Sequence, residues 1–329
     1  MKGNIPEKMR KRNLQLILEA LSNDNAMSVK ELSAYTGLSV VSIHKLLDQL
    51  NTDNLIKESN EVVKTRGRSA TQYALNYAGF SILSVRIFES TEQMHAKIEI
   101  IDLAGSRLST DIFDYQITDV SSLMRAIQSL LGDAQRRPNV IIIGIPGVES
   151  NHRVNISDLT DWTNLNLSQE VATQTGIYTK VVNDANAMTY GAIGKVNSSG
   201  SAIGIYYPLM FAPGIGIIHR GQPLIGEHGL AGEIASGPYY EQQVFPIKDF
   251  TAIVVRDVQS LVTITDPDYV FIFAPQHQLN GSDVVAQLVD KHAFFKQYQF
   301  KFDTDFDDDY CFGLLRFGRE LVFNQLINQ

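Results

Sequence analysis

Six side chains near the N-terminus have types and a spacing suited to contacts with DNA. Small polar side chains and a cation suit a major groove, whose base edges and phosphates offer hydrogen-bonding partners. Two arginines that flank a glycine suit a narrow minor groove. The six residues lie in SVVSIHKLLDQLN and KTRGRS and are Ser39, Ser42, His44, Lys45, Arg66 and Arg68. The pattern predicts a surface that binds double-stranded DNA.

Other polar groups in the chain are weaker candidates. The run DTDFDDDY at 303–310 holds five carboxylates but lacks the glycine and the terminal glutamate of a calcium loop, so we expect a solvated loop before the last helix. His228 in GEHGLAGE could contact a ligand or a local backbone partner. The single cysteine, Cys311, excludes an internal disulfide and a zinc site built on several thiolates. We predict no metal site and no cofactor.

Three helices must position the DNA-contacting residues. Between residues 9 and 21, apolar residues recur at the spacing of one helix face. Ser28 is the predicted N-cap of a short second helix in which Val29, Leu32 and Tyr35 face inward, and Gly37 ends that helix with a positive φ. Ser39 then caps a third helix, whose apolar face consists of Ile43, Leu46, Leu47 and Leu50. The second and third helices form a predicted helix-turn-helix, and the third would enter a major groove.

A wing is predicted after the third helix. Residues 53–58 and 61–65 are predicted to be the two strands of a hairpin whose turn residues are Ser59 and Asn60. The arm that carries Arg66 and Arg68 follows the wing. The alternative interpretation is a three-helix interaction or dimerisation module whose exposed polar side chains are only solvated.

Strands and helices alternate from about residue 79 onwards. Residues 82–88 and 97–102 are predicted strands, VSSLMRAIQSLLGDA is a predicted amphipathic helix, and NVIIIGIPG is a predicted buried strand that ends in a loop. This alternation indicates an α/β sheet that binds its ligands at strand ends.

The order of motifs resembles the ROK family, which comprises sugar-responsive repressors and bacterial sugar kinases. GLSVVSIHKLLDQL and RGRSATQYALN resemble the recognition helix and linker of the repressor branch, and GIPGVE, LTDWTNLNL, VVNDANAMTYG and GEHGLAGEI resemble motifs of the ROK body. The resemblance implies an α/β protein with a winged helix-turn-helix head and a two-lobed, actin-like or RNase H-like ATPase-type body. The predicted domains are the head at 1–76, a first lobe at 77–190 and a second lobe at 191–310, with a C-terminal helix at 311–329 packing back on the first lobe.

The same resemblance implies a sugar pocket formed by Pro146, Gly147, Asn183, Asp184 and Glu233. Asn183 would bond sugar hydroxyls, Glu233 would hold the sugar, and in a kinase Asp184 would be the general base for the phosphorylated hydroxyl. An Asx-rich helix cap would account for the sequence NDAN equally well.

The nucleotide-binding motifs of the family are altered in this chain. Where the family has a phosphate hairpin of the form DxGGT, Arg86 replaces the aspartate, and Phe88 and Glu89 replace the glycines. The second phosphate loop, GTGIGGG, aligns with MFAPGIG at 210–216, and a Gly-Gly at the adenosine site reads Ala274 and Pro275. Side chains at these positions obstruct contacts between backbone N–H groups and phosphate. We therefore predict no catalytic residues and no kinase activity.

The structural zinc of the family also lacks its ligands. The family closes its sugar pocket with a zinc held by one histidine and three cysteines, whereas the corresponding stretch, IASGPYYEQQVFPIKDF, contains neither residue type, and Ser236 stands at the position of a pocket histidine. The loop that orients Glu233 is therefore expected to differ, and a conventional sugar is not implied.

Composition and charge agree with a DNA-binding head on a globular body. Residues 1–76 carry eleven Lys and Arg against eight Asp and Glu, whereas the whole chain of 329 residues has a net charge of -8. Any polyanion is therefore expected to meet the head. No apolar run is long enough to span a membrane, and none follows the basic N-terminal residues, so we expect a cytoplasmic protein with no membrane partner.

The leading prediction is a transcriptional regulator, a repressor of carbohydrate-related genes with a catalytically dead body. We expect a homodimer, because one recognition helix reads few base pairs and a two-fold pair reaches two half-sites. A sugar or sugar phosphate is the predicted effector. The alternatives are a sugar kinase with a DNA-binding head and a body that serves only as a ligand-independent dimerisation platform.

Overall fold

The computed structural model describes residues 5–21, 26–59, 70–109, 112–134, 136–238, 240, 243–303 and 306–328. The chain divides into two compact units: the first comprises 1–81, 102–106 and 319–329, and the second comprises 82–101 and 107–318. The predicted wing strand at 61–65 and the predicted DNA contacts Arg66 and Arg68 lie outside the described residues. The predicted domain boundaries at residues 76 and 190 stay predictions.

The described N-terminal residues of the first unit form the helices α1 (Ile5–Leu21), α2 (Val29–Thr36) and α3 (Val40–Thr52). α2 packs against both α1 and α3. The apolar faces that the spacing predicts are buried, and they consist of Leu14, Ile17, Leu18, Leu21, Leu32, Ile43, Leu46, Leu47 and Leu50. The prediction for Tyr35 is wrong, since this side chain is 59% exposed. It lies in the last turn of a two-turn helix, where its hydroxyl stays in water.

A small antiparallel sheet completes the fold of the first unit. Its strands, β1 (Met27–Ser28), β2 (Ile56–Ser59) and β3 (Gln72–Leu75), lie in the order β1-β3-β2. The wing prediction is corrected here, because the strand that pairs with β2 is β3, in the segment assigned to the linker. The pairing places Ile56 opposite Leu75, and both side chains are buried.

The first half of the second unit is built on a five-stranded sheet. Its segment of the chain contains β4 (Ser81–Ser90), β5 (Gln93–Asp102), β6 (Phe113–Gln116), β7 (Val140–Ile145), β8 (Gly147–Ser150), β9 (Arg153–Ser157) and β10 (Thr179–Asn183). β8 and β9 form a separate hairpin, and the others lie in the order β10-β7-β4-β5-β6. Helices α4 (Val120–Asp133) and α5 (Leu167–Thr175) bury their apolar faces in the core of this sheet.

The second half repeats the topology of the first. Its strands are β11 (Ala202–Tyr206), β12 (Gly214–His219), β13 (Gln222–Pro223), β14 (Tyr269–Phe273) and β15 (Gln299–Asp303), in the order β13-β12-β11-β14-β15. If the strands of each sheet are numbered along the chain, both sheets have the order 3-2-1-4-5. Helices α7 (Phe250–Thr265) and α8 (Gly281–Lys291) contribute to the second core. The two halves therefore share one topology, as expected for a body made of two duplicated lobes.

Helix α6 (Asp184–Lys195) packs closely against the start of α9 (Asp307–Asn328), in the part of α9 that belongs to the second unit. A Cβ atom at Gly191 of α6 would collide with the carbonyl oxygen of Asp309, so this approach requires glycine. Lys195 Nζ lies 2.6 Å from Asp309 Oδ1. The expectation of a solvated acidic loop is therefore wrong for 307–309, which form the first turn of α9, where carboxylates are favourable. Within the described ranges, no helix is both long enough and apolar enough to cross a bilayer.

Candidate functional site

The geometry of α3 follows from the two residues that precede it. Gly37 ends α2 with φ 71° and donates its N–H to the Ser33 carbonyl. Ser39 then caps α3, where its hydroxyl accepts a hydrogen bond from the Ser42 N–H at 3.2 Å. Both predicted caps are present, so the turn between the helices is short and the start of α3 is well defined.

The N-terminal half of α3 presents polar side chains to solvent. Ser39, His44 and Lys45 are exposed, and Ser42 is half-buried. Gln49 accepts a hydrogen bond from Arg10 Nε at 3.0 Å, so it ties α3 to α1. The structure thus brings together the predicted contacts on α3, on the helix end that a major groove would receive.

Four of the five predicted pocket residues lie at the C-terminal ends of β7 and β10 in the first sheet. β7 and β10 are parallel, and Asn183 lies opposite Ile145 in register, so the residues that follow both strands are neighbours. Asn183 Nδ2 donates to the Gly147 carbonyl at 3.2 Å, and the Pro146 carbonyl accepts the Asp158 N–H at 3.1 Å. Asn183 also caps α6, because its Oδ1 accepts the Asn186 N–H at 2.9 Å. The capping interpretation of NDAN is therefore correct for Asn183.

Three interacting carboxylates belong to this region. Asp184 is buried and accepts the Ala185 N–H at 2.7 Å, yet burial, with the charges of Asp158 and Glu233, raises its pKa well above the ordinary value. Burial, followed by the charges of Glu233 and Glu89, raises the pKa of Asp158 to about 7. Burial also raises the pKa of Glu233. The electrostatic environment of Asp158 and Asp184 is therefore anionic, which favours protonated carboxyls or a ligand that donates hydrogen bonds.

Sequence reasoning missed two residues of this region, Asp158 and Tyr206. Burial, followed by the charge of Asp184, raises the pKa of the Tyr206 phenol well above its ordinary range. Each residue lies at the end of a strand, Asp158 directly after β9 and Tyr206 as the last residue of β11. That position was the available signal, since ligands of α/β sheets bind at strand ends.

Arg86 sits in a buried network of ion pairs at the first altered phosphate motif. Its side chain is 1% exposed, its Nη1 donates to Glu99 Oε1 at 2.6 Å, and its Nε lies 3.0 Å from Asp307 Oδ1. Lys97 and Arg107 add contacts to Asp307 and Glu99 at 2.9 and 3.0 Å. Where the resemblance implies an acidic group that organises a metal, the chain therefore carries a cation that pairs with its own carboxylates.

Glu89 and Phe88 are buried side chains at the two positions where the resemblance implies glycines. Glu89 is 3% exposed, and its Oε2 accepts the backbone N–H groups of Leu209 at 2.7 Å and Met210 at 3.2 Å. Burial raises the pKa of Glu89, although these two hydrogen bonds oppose the shift. Phe88 packs edge-to-face on Phe306 with ring centroids 5.8 Å apart. A carboxylate of the chain thus accepts the N–H groups of Leu209 and Met210, where the segment that aligns with the second phosphate motif begins.

The residues present do not fit the zinc site of the ROK fold. Residues 234–250 contain no cysteine and no histidine, and Ser236 is exposed. Cys311 lies on α9, where its thiol donates to Glu99 Oε1 at 3.6 Å. Across the described ranges, no group of three or more His, Cys, Asp or Glu side chains is arranged to hold a metal ion.

The model of the ROK family matches residues 93–239. This segment includes the predicted pocket residues and the second altered phosphate motif at 210–216, and it begins after the first altered motif. Residues 93–239 are a ROK family domain. The predicted membership is confirmed for this segment. A comparison with curated proteins finds no match.

Solved ROK structures share the fold. A ROK family transcriptional regulator, described as a homolog of the E. coli MLC protein, superposes with a TM-score of 0.66 at 17% identity and covers 98% of this chain and 100% of its own. A candidate N-acetylmannosamine kinase from Listeria monocytogenes has a TM-score of 0.59 at 13% identity, covering 74% and 99%. A ROK family glucokinase from Streptomyces griseus, solved with glucose and AMPPNP, has a TM-score of 0.55 at 16% identity, covering 73% and 99%. The predicted fold class, an α/β ROK body with a helical head compatible with a winged helix-turn-helix, is confirmed.

Proposed function

We propose that the chain is a sequence-specific transcriptional regulator, a repressor of carbohydrate-related genes that binds operator DNA as a homodimer. The observation that carries the proposal is the contrast between two surfaces. The start of α3 exposes polar and cationic side chains, whereas the positions of the phosphate motifs are filled by Arg86, Phe88 and Glu89 and their partners. The surface suited to a polyanion is therefore exposed, whereas side chains of the chain itself stand at the positions of the family's phosphate motifs.

The extent of the structural matches supports the regulator. The matched regulator covers 98% of this chain, whereas the two kinases cover 74% and 73%. The remaining quarter is about the length of the predicted head. The comparison therefore favours a chain whose domain composition is that of the regulator.

The filled phosphate positions support a body without phosphoryl transfer. A nucleotide phosphate would have to displace the Glu89 carboxylate from the Leu209 and Met210 N–H groups. It would also meet the buried Arg86 network, whose two carboxylates are already paired with cations and are therefore not free to bind magnesium. The sugar kinase with a DNA-binding head is therefore disfavoured.

The pocket supports a hydroxyl-rich, uncharged effector over a sugar phosphate. Asp158, Asp184 and Glu233 act on one another through like charges, and a phosphate would add a further negative charge. Sugar hydroxyls can donate to these carboxyl oxygens. Because Asn183 already bonds Gly147 and Asn186, the ligand-independent dimerisation platform remains the second candidate.

Calorimetry separates the sensor from the platform. The full-length protein is titrated with a panel of sugars and their phosphates, and the proposal expects one unphosphorylated sugar to bind and Asp184→Asn to abolish the heat. Silence across the panel would favour the platform. Metal-dependent transfer of phosphate from ATP to any sugar of the panel would contradict the proposal that the body has no kinase activity.

A further inference from the structure

The start of α3 exposes two adjacent valines. Val40 is 49% exposed and Val41 is 67% exposed, whereas the apolar residues on the opposite face of α3 are buried. Valine is disfavoured here twice, because its branched side chain lowers helix propensity and because its apolar surface contacts water. Local rules are broken in this way where a partner covers the surface.

The neighbouring side chains indicate the chemistry of that partner. His44 and Lys45 lie one turn after Val41 on the same exposed face, and Ser39 and Ser42 flank the valines. A turn further on, Asp48 is also exposed. A phosphate backbone is attracted by Lys45 and repelled by Asp48, so a nucleic acid would be confined to the first two turns of α3. The valines are the first two residues of that stretch.

On the basis of the proposed function, we infer that Val41, with Val40 beside it, contacts the C5-methyl group of a thymine in the major groove. The thymine methyl is the apolar group on the major-groove edge of the bases, and valine offers no hydrogen bond to any other feature there. Serine and lysine on the same face supply hydrogen bonds to base edges and phosphates. The valine pair therefore makes α3 select a thymine at one position of each half-site.

Uracil substitution tests this inference, because uracil lacks only the methyl group. The full-length protein selects a binding site from a random duplex library, and each thymine of that site is replaced in turn by uracil. Wild type should lose about fourfold in affinity at one position of each half-site, the change expected for one buried methyl group. Val41→Ala should bind the thymine and uracil duplexes equally well.

The control variant is Met9→Ala, which removes another exposed apolar side chain from the head and should retain the full uracil penalty. If uracil costs nothing at every position, or if its penalty survives Val41→Ala, the inference is wrong and DNA binding still stands. If no sequence is enriched from the library, both the proposed function and the inference fail. If Val41→Ala instead separates the protein into monomers in sedimentation, the valines cover a protein interface, and the inference is again overturned.

Discussion

Single charged residues differ in what neutralises them. Arg86 is buried and paired with Glu99 and Asp307, so its charge is satisfied within the chain. Lys45 is exposed on the face of α3 that also carries Val41. A buried and compensated cation stabilises a fold or fills a space, whereas an exposed cation beside an apolar surface is suited to a polyanion that also offers apolar groups.

Replacing Lys45 with alanine should weaken DNA binding and reduce its dependence on salt. Each lysine that neutralises a phosphate releases a counterion, so the slope of log affinity against log salt should fall by about 1. Fluorescence anisotropy of a labelled duplex at several salt concentrations measures both quantities. Lys248→Ala removes an exposed lysine of the body and should leave the slope unchanged. Equal slopes for wild type and Lys45→Ala would show that Lys45 does not contact a DNA phosphate.

Asp158 should make the second unit less stable as the pH rises. Its pKa is about 7 in the folded protein against an ordinary 3.8, so the folded state binds the proton more tightly. The stability that protonation contributes is complete below pH 4 and is lost as the pH rises through 7. Between pH 5 and pH 8, the free energy of unfolding measured in urea should fall by about 2 kcal/mol more for wild type than for Asp158→Asn. Asp161→Asn, at an exposed carboxylate in the same segment, should behave like wild type. Parallel pH profiles for wild type and Asp158→Asn would contradict the raised pKa.

The sequence identified which residues are unusual better than it identified their partners. Arg86, Phe88 and Glu89 stand out because each replaces a small or acidic residue of a recognisable motif. Their partners could not be predicted, since Asp307, Phe306 and the Leu209–Met210 backbone are distant in sequence and are brought close only by the fold of the second unit.

Helix ends were predictable because they are encoded locally. Ser28, Ser39 and Gly37 cap α2 and α3 as expected, since each cap depends on residues within a few positions. The wing was mispredicted because strand pairing depends on a distant partner. β2 pairs with β3, which places the predicted turn residue Ser59 in a strand, and burial of Ile56 and Leu75 favours that register.

Gly37→Ala should destabilise the helix-turn-helix by about 1 kcal/mol. A Cβ atom at Gly37 would meet nothing within 4 Å, so the cost comes from its φ of 71° alone. Gly132 of α4 is the matched control, because its Cβ atom would also meet nothing, although its backbone is helical. Gly132→Ala should be neutral or stabilising. Urea unfolding combined with amide exchange of α2, α3 and α4 measures both effects, and equal effects of the two substitutions would contradict the positive φ at Gly37.

Glu89→Ala should loosen the loop after β11. The carboxylate accepts the N–H groups of Leu209 and Met210, and charge-assisted hydrogen bonds of this kind are the stronger ones. Amide hydrogen exchange at these two residues should accelerate about tenfold or more. Glu92→Ala removes an exposed carboxylate from the neighbouring turn and should leave the exchange rates unchanged. Unaltered exchange in Glu89→Ala would show that the carboxylate does not hold this loop.

At the scale of the whole molecule, the duplication of the body was invisible in the sequence. Both sheets have the strand order 3-2-1-4-5, yet their strands share no readable repeat, because topology depends on which strands pair rather than on which residues form them. The change in pattern near residue 79 predicts a division between head and body, which stays a prediction. Which strands pair with one another in each sheet could not be predicted from the sequence.

The central proposal is that a DNA-binding head is joined to a body in which the chain's own side chains occupy the positions of the family's phosphate motifs. Hydroxyl-radical footprinting of the full-length protein on the duplex it selects tests the first half of this claim most directly. We expect two protected patches about one helical turn apart on one face of the duplex, related by a two-fold axis. Uniform cleavage at every position, at protein concentrations that saturate any binding, would contradict the account.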